Sequence, residues 1–141
     1  MGNQNSSFEQ KIEQAKMLRH DDVEEALRII RQVIIDANLA QDLRSAFKGR
    51  IALGNILVTM GDYKAAMDSY HSALNLFPEP QPPELHWHVY NGIAIIDSHV
   101  GRLADAAENY QKASHYASQA GELKSRAVLL INLANIYIKQ D

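Results

Sequence analysis

No cysteine occurs among the 141 residues, which removes disulfides, thiolate nucleophiles and sulfur-ligated zinc sites. No apolar run approaches the ~20 residues that a membrane-spanning helix needs. The start, Met1-Gly2-Asn3-Gln4-Asn5-Ser6, lacks the basic and apolar regions of a secretory signal. Gly2 and Ser6 fit only the loose spacing of a myristoylation pattern, and residues 1–6 read more simply as a flexible lead. Basic residues do not dominate: 14 Lys and Arg against 17 Asp and Glu give a net charge of −3. With no basic stripe, nucleic acid is not an expected partner. A glycine-rich phosphate loop, a nucleophile elbow and a paired acid–base constellation are all missing. No catalytic residue, cofactor or metal is therefore expected. A hydrophobic fraction of 46% with 22% charged residues suits one folded domain, and the expected compartment is the cytoplasm.

What the chain does have is a repeat. Gly54-Asn55-Ile56-Leu57-Val58-Thr59-Met60-Gly61-Asp62-Tyr63 aligns with Ala94-Ile95-Ile96-Asp97-Ser98-His99-Val100-Gly101-Arg102-Leu103. The same step relates Ala66 to Ala106, Tyr70 to Tyr110 and Ala73 to Ala113. Earlier it meets Ala26, Ile30 and Val33, and later Ala134. A fixed period of this length is the mark of a stacked helical repeat. Each unit reads as two helices. Ile51, Leu53, Ile56, Leu57 and Met60 follow helical spacing up to the Gly61-Asp62 break, and Ala66, Met67, Tyr70, Ala73, Leu74 and Phe77 form the stripe of the next helix. Asp62 caps that helix, and Asp22-Val23-Glu24-Glu25 and Ser7-Phe8-Glu9-Gln10 have capping-box spacing. The segment Pro78-Glu79-Pro80-Gln81-Pro82-Pro83 cannot be helical and reads as a rigid connector. Helices are expected over 7–19, 22–39, 42–60, 62–77, 84–100, 102–120 and 122–140, in units 7–46, 47–86, 87–126 and a truncated 127–141.

On these residues the chain resembles the tetratricopeptide repeat family. Gly54, Ala66 and Ala73 match its small residues at the helix crossing, Tyr70 and Tyr110 its large residue in the second helix, and Pro78 its proline after that helix. The step here is 40, against roughly 34 in the family. The resemblance implies an all-α, right-handed superhelix of stacked antiparallel helix pairs, whose first helices line a concave groove for a peptide or protein partner. Carried over by repeat register, the groove positions are Phe8, Lys11, Ala15 and Leu18; Lys48, Ile51, Asn55 and Val58; His88, Asn91, Ile95 and Ser98; Val128, Ile131, Asn135 and Ile138, with Asn132 at the edge. Asparagine is a poor residue inside a helix. Asn55, Asn91, Asn132 and Asn135 on one expected face therefore suggest an amide row that hydrogen-bonds a peptide backbone. With Lys48 and His88 they form the expected partner site. The carboxylate clamp of chaperone-binding members is not assembled in either register, so chaperone tails are not expected.

His86-Trp87-His88 has no third ligand at metal spacing, and Trp87 is expected to pack the proline connector against the second unit. At the C-terminal end, Leu129, Leu130, Leu133, Ile136 and Tyr137 form an apolar face that normally packs under a further helix. We read the chain as a piece of a longer protein whose isolated form associates through this end, giving a homodimer. The leading function is a protein- or peptide-binding module of a regulatory or scaffolding protein. The alternatives are a self-assembly scaffold and the regulatory domain of a signalling enzyme.

Overall fold

The computed structural model describes residues 2–77 and 82–140, with side chains from Ser7 onward. It is all-helical among those residues: α1 (Gly2–Leu18), α2 (Val23–Leu39), α3 (Leu43–Thr59), α4 (Tyr63–Leu74), α5 (Pro83–His99), α6 (Leu103–Gln119) and α7 (Leu123–Gln140). From α2 onward the helices start at 23, 43, 63, 83, 103 and 123. The sequence period of 40 is thus two helix-plus-turn steps of 20. Pro78, Glu79, Pro80 and Gln81 of the expected connector, and the side chains of the expected flexible lead at 1–6, lie outside the described residues. Pro82 precedes α5, and Pro83 opens it in the one helical turn that tolerates a missing amide hydrogen.

The turns explain the regularity. Asp22, Asp42 and Asp62 each accept a hydrogen bond from the backbone N–H three residues on, at 3.1, 3.0 and 3.2 Å, which satisfies an orphan donor of the following helix. Glu25 does not complete the expected capping box; its carboxylate is taken by Arg28. Gly61, Gly101 and Gly121 end the preceding helices at φ of 80°, 84° and 75°, where a side chain is strained. The equivalent residue in the α2–α3 turn is Gln41, at φ 57°. Replacing Gln41 with glycine therefore removes strain of about 1 kcal/mol, partly offset by the freer unfolded chain. Gln41→Gly is expected to raise the melting temperature by about 2 °C and Gly61→Ala to lower it by a similar amount. Scanning calorimetry of the two variants checks both signs.

The chain divides into two compact units, Met1–Phe77 and Pro78–Asp141. In the first, α1 packs on α2, α2 on α3, α3 on α4, and α1 also touches α3. Its core joins Phe8, Ile12 and Ala15 of α1, Ile29, Ile30, Val33 and Ala37 of α2, and Ala46, Ala52 and Ile56 of α3. In the second, α6 packs between α5 and α7. Alanines 106, 107, 113 and 117 of α6 are buried with Ala94, Leu129, Leu133 and Ile136; small side chains let the helix backbones approach closely and form a dense core. Most of the stability of each helix comes from burial of its apolar stripe against a neighbour.

Two boundaries differ from expectation. The first helix starts at Gly2 rather than near residue 7, because nothing between Gly2 and Ser7 breaks a helix and Ser7 lies inside it. The fourth ends at Leu74 rather than 77. Pro78 disfavours helical backbone at Phe77, and Phe77 instead turns its ring onto Phe47, with centroids 5.4 Å apart.

Candidate functional site

The expected partner residues fall on both units, and their surroundings differ. In the first unit, Lys48 of α3 reaches Glu9 of α1 at 2.8 Å. That hydrogen bond and the lysine charge hold the Glu9 carboxyl below the usual carboxylate range. Asn55 does not stand apart from the helix pair: Tyr70 of α4 donates its hydroxyl hydrogen to Asn55 Oδ1 at 2.5 Å. The amide thereby ties α3 to α4, and its replacement is expected to move stability as well as any binding. Phe8, Ala15 and Ile51, read above as groove positions, are buried in packing, because α1 and α3 press together along that side.

In the second unit His88 is exposed and its ring stacks on Trp87, with centroids 3.7 Å apart and planes inclined by 29°. Trp87 also packs against the core of this unit, which gives the indole a role within α5–α6. His86 points elsewhere: it is buried, and its Nδ1–H donates to the Pro82 carbonyl at 2.9 Å. Among the described residues no group of three or more His, Asp or Glu side chains could hold a metal ion. Asn91 is half-buried in mid-α5, and its Oδ1 is buried with no hydrogen-bond partner. On α7, Asn132 is half-buried and Asn135 exposed. Val128, Ile131 and Ile138 stand exposed on the same helix.

The apolar set expected at the C-terminal end splits. Leu129, Leu133 and Ile136 are buried against α6 and belong to the core of the second unit. Leu130 and Tyr137 stay exposed, although the Tyr137 hydroxyl accepts a hydrogen bond from Gln111 Nε2 at 2.6 Å. The spacing could not separate these two faces, since the missing information was which side of α7 the preceding helix takes.

One feature was not foreseen. Tyr90 of α5 and Tyr116 of α6 stack face to face, with centroids 5.4 Å apart and planes 2° from parallel, and Lys112 Nζ lies 5.6 Å above the Tyr90 ring. With Glu108, Gln111 and His115 they line an open depression of about 410 Å³. The i, i+4 spacing of Lys112 and Tyr116 was the available signal. Asp97, buried at the end of α5, accepts from Arg102 Nε of the following turn at 3.1 Å and from Asn109 Nδ2 of α6 at 3.0 Å. The chemistry on offer throughout is amides, rings and apolar stripes, which recognise polypeptide surfaces.

Residues 1–140 match the family of soluble NSF attachment proteins, SNAP. The chain belongs to this family. The fold seen here is a helical repeat related to the tetratricopeptide type, with a step of 40 residues per helix pair. The chain is also similar to the trafficking protein particle complex subunit 12 of Homo sapiens and that of Mus musculus. Each is 27% identical over 95 residues, or 66% of this chain. The match covers 12% of the human protein and 11% of the mouse protein, so the chain spans a small part of the relatives it matches. Among the described residues no helix is long and apolar enough to cross a membrane.

Proposed function

We propose that this chain is a non-catalytic protein-interaction module of trafficking machinery, which presents the first helices of its pairs to a protein partner. Attachment to NSF, the activity in the name of its family, is the first candidate. The relatives named as subunits of a trafficking protein particle complex support a role inside an assembly. His88 and Asn91 on α5 and Asn132 and Asn135 on α7 are the proposed contacts, with Lys48 and Asn55 serving the first unit in part through their internal bonds.

Asn91 carries the reading. The residue one repeat earlier is Ile51, which is buried in α3, so an apolar side chain fits the corresponding place in the neighbouring pair. An asparagine there weakens the helix, and its buried, unpartnered acceptor costs about 1–3 kcal/mol. A position that works against stability is where a functional demand is expected; Asn91 is half-buried, and rotation of its amide toward the surface lets a bound polypeptide donor supply the absent hydrogen bond. Asn91→Ile should therefore raise the melting temperature by several degrees while weakening binding to purified NSF at least tenfold. Asn132→Ala with Asn135→Ala should weaken binding at unchanged stability. Calorimetric titration with wild-type affinity in the Asn91→Ile variant would refute the reading.

A further inference from the structure

The bond from Tyr70 to Asn55 decides which half of the amide faces outward. Tyr70 is buried in α4, and its ring lies across Gly54, where no Cβ stands in the way. That crossing carries the hydroxyl to the next residue of α3, where it donates to Asn55 Oδ1 at 2.5 Å. A buried phenol hydrogen needs an acceptor. Turning the amide over would offer N–H2 to the hydroxyl oxygen and leave the hydroxyl hydrogen unpaired. Burial, which pushes the Tyr70 hydroxyl well above the usual tyrosine range, keeps that hydrogen in place. Tyr70 thus sets the orientation of the amide. The Nδ2–H2 group, on the other side, bonds no described residue and belongs to the half-buried surface of α3.

Packing does not require this amide. Forty residues on, Ala94 and Ile95 replace Gly54 and Asn55, and Ile95 packs against the core cluster that holds Tyr110. An asparagine inside a helix also costs helix propensity. The cation nearest on this face of α3, Lys48 two turns earlier, is engaged by Glu9 at 2.8 Å, and Ile51 and Val58 beside Asn55 are apolar. What α3 offers there is a neutral donor among neutral neighbours. We propose that Tyr70 is a positioning residue that holds Asn55 as a hydrogen-bond donor, so that Nδ2–H2 binds a main-chain carbonyl of the polypeptide partner. This rests on the reading above that the first helices meet a protein, and it gives the two amides opposite roles: Asn91 offers an acceptor and Asn55 a donor. A neutral carbonyl fits better than a carboxylate, because no unengaged cation stands beside the amide among the groups named here.

Calorimetric titration of the intact chain with purified NSF, beside scanning calorimetry, tests this through Asn55→Asp, Tyr70→Phe and the double variant. Asn55→Asp keeps an acceptor for Tyr70 and removes the donor. It should melt within about 2 °C of wild type and bind NSF about tenfold more weakly. Tyr70→Phe frees the amide to turn and should weaken binding about threefold. In the Asn55→Asp background, Tyr70→Phe should still lower the melting temperature but leave the affinity where Asn55→Asp put it. A merely structural tyrosine would weaken binding equally in both backgrounds, and that result overturns the inference. So does a loss in Asn55→Asp that added salt abolishes, which would assign the acceptor to a carboxylate repelled by the introduced charge. Asn55→Ile with Tyr70→Phe sets at this crossing the isoleucine found at Ile95; it should fold and bind about tenfold more weakly, which tests the donor even if Asn55→Asp misfolds. Wild-type binding that Asn91→Ile weakens and Asn55→Asp does not would overturn this inference alone; no binding of NSF by wild type would remove it together with the reading it rests on.

Discussion

Gly54→Ala should destabilise the protein by about 2 kcal/mol, although the same change in an exposed helix interior normally stabilises by about 1 kcal/mol. The reason is the approach of α3 to α4. A Cβ on Gly54 would lie 2.5 Å from Tyr70 Cε1 and 2.8 Å from Cδ1 and Cζ, closer than carbon atoms can pack. Tyr70 is 1% exposed and cannot swing aside. Overpacking of this kind costs about 1–3 kcal/mol, and moving the ring also loosens its bond to Asn55, worth about 1 kcal/mol. The clash outweighs the gain in helix propensity. Ala94 occupies the same register in α5, so the intolerance belongs to the α3–α4 pair rather than to the repeat. Urea denaturation of Gly54→Ala, Tyr70→Leu and the double variant measures the coupling. The double variant should recover at least 1 kcal/mol relative to the sum of the single changes; strict additivity would show that the ring does not rest on the glycine.

Tyr70→Ala should have the larger effect, a loss of about 3–5 kcal/mol, from the cavity left by a fully buried ring. That is a large part of the stability of a small domain. Tyr70→Phe keeps the ring and loses only the hydroxyl, at about 1 kcal/mol. The pair also separates in alkali. Burial pushes the Tyr70 hydroxyl well above the usual tyrosine range, and Tyr110 moves the same way for the same reason. The unfolded chain ionises these groups near pH ~10 while the folded chain keeps them neutral. Their contribution is therefore complete below that pH and is lost as pH rises through the folded values. Wild type should lose stability more steeply than Tyr70→Phe between neutral pH and pH ~11, and denaturation curves across that interval read the difference.

Much of the fold was legible because it rests on local rules. Aspartate caps, turn glycines and apolar residues at helical spacing placed six of the seven helix starts within a residue or so. The exceptions follow from competition. Ser7 offers a cap that the chain passes through, and Pro78 shortens α4 by acting on Phe77. The site was less legible because a period fixes register, not neighbours. Asn55 and Asn91 read alike in sequence. Only packing distinguishes an amide oxygen bound to Tyr70 from one buried with no partner. Likewise Leu129 and Leu130 are adjacent apolar residues, and the position of α6 alone decides that the first is core and the second surface. The stacked Tyr90 and Tyr116 come from different helices, so no single stretch of sequence announces them.

Hydrogen-exchange mass spectrometry of the chain with and without purified NSF tests most directly whether the first helices meet a protein partner. Protection should appear in peptides from α5, around Asn91, and from α7, around Asn132 and Asn135, and should vanish in the Asn91→Ile variant. Exchange unaltered by NSF, or protection confined to α2 and α6, would contradict the account.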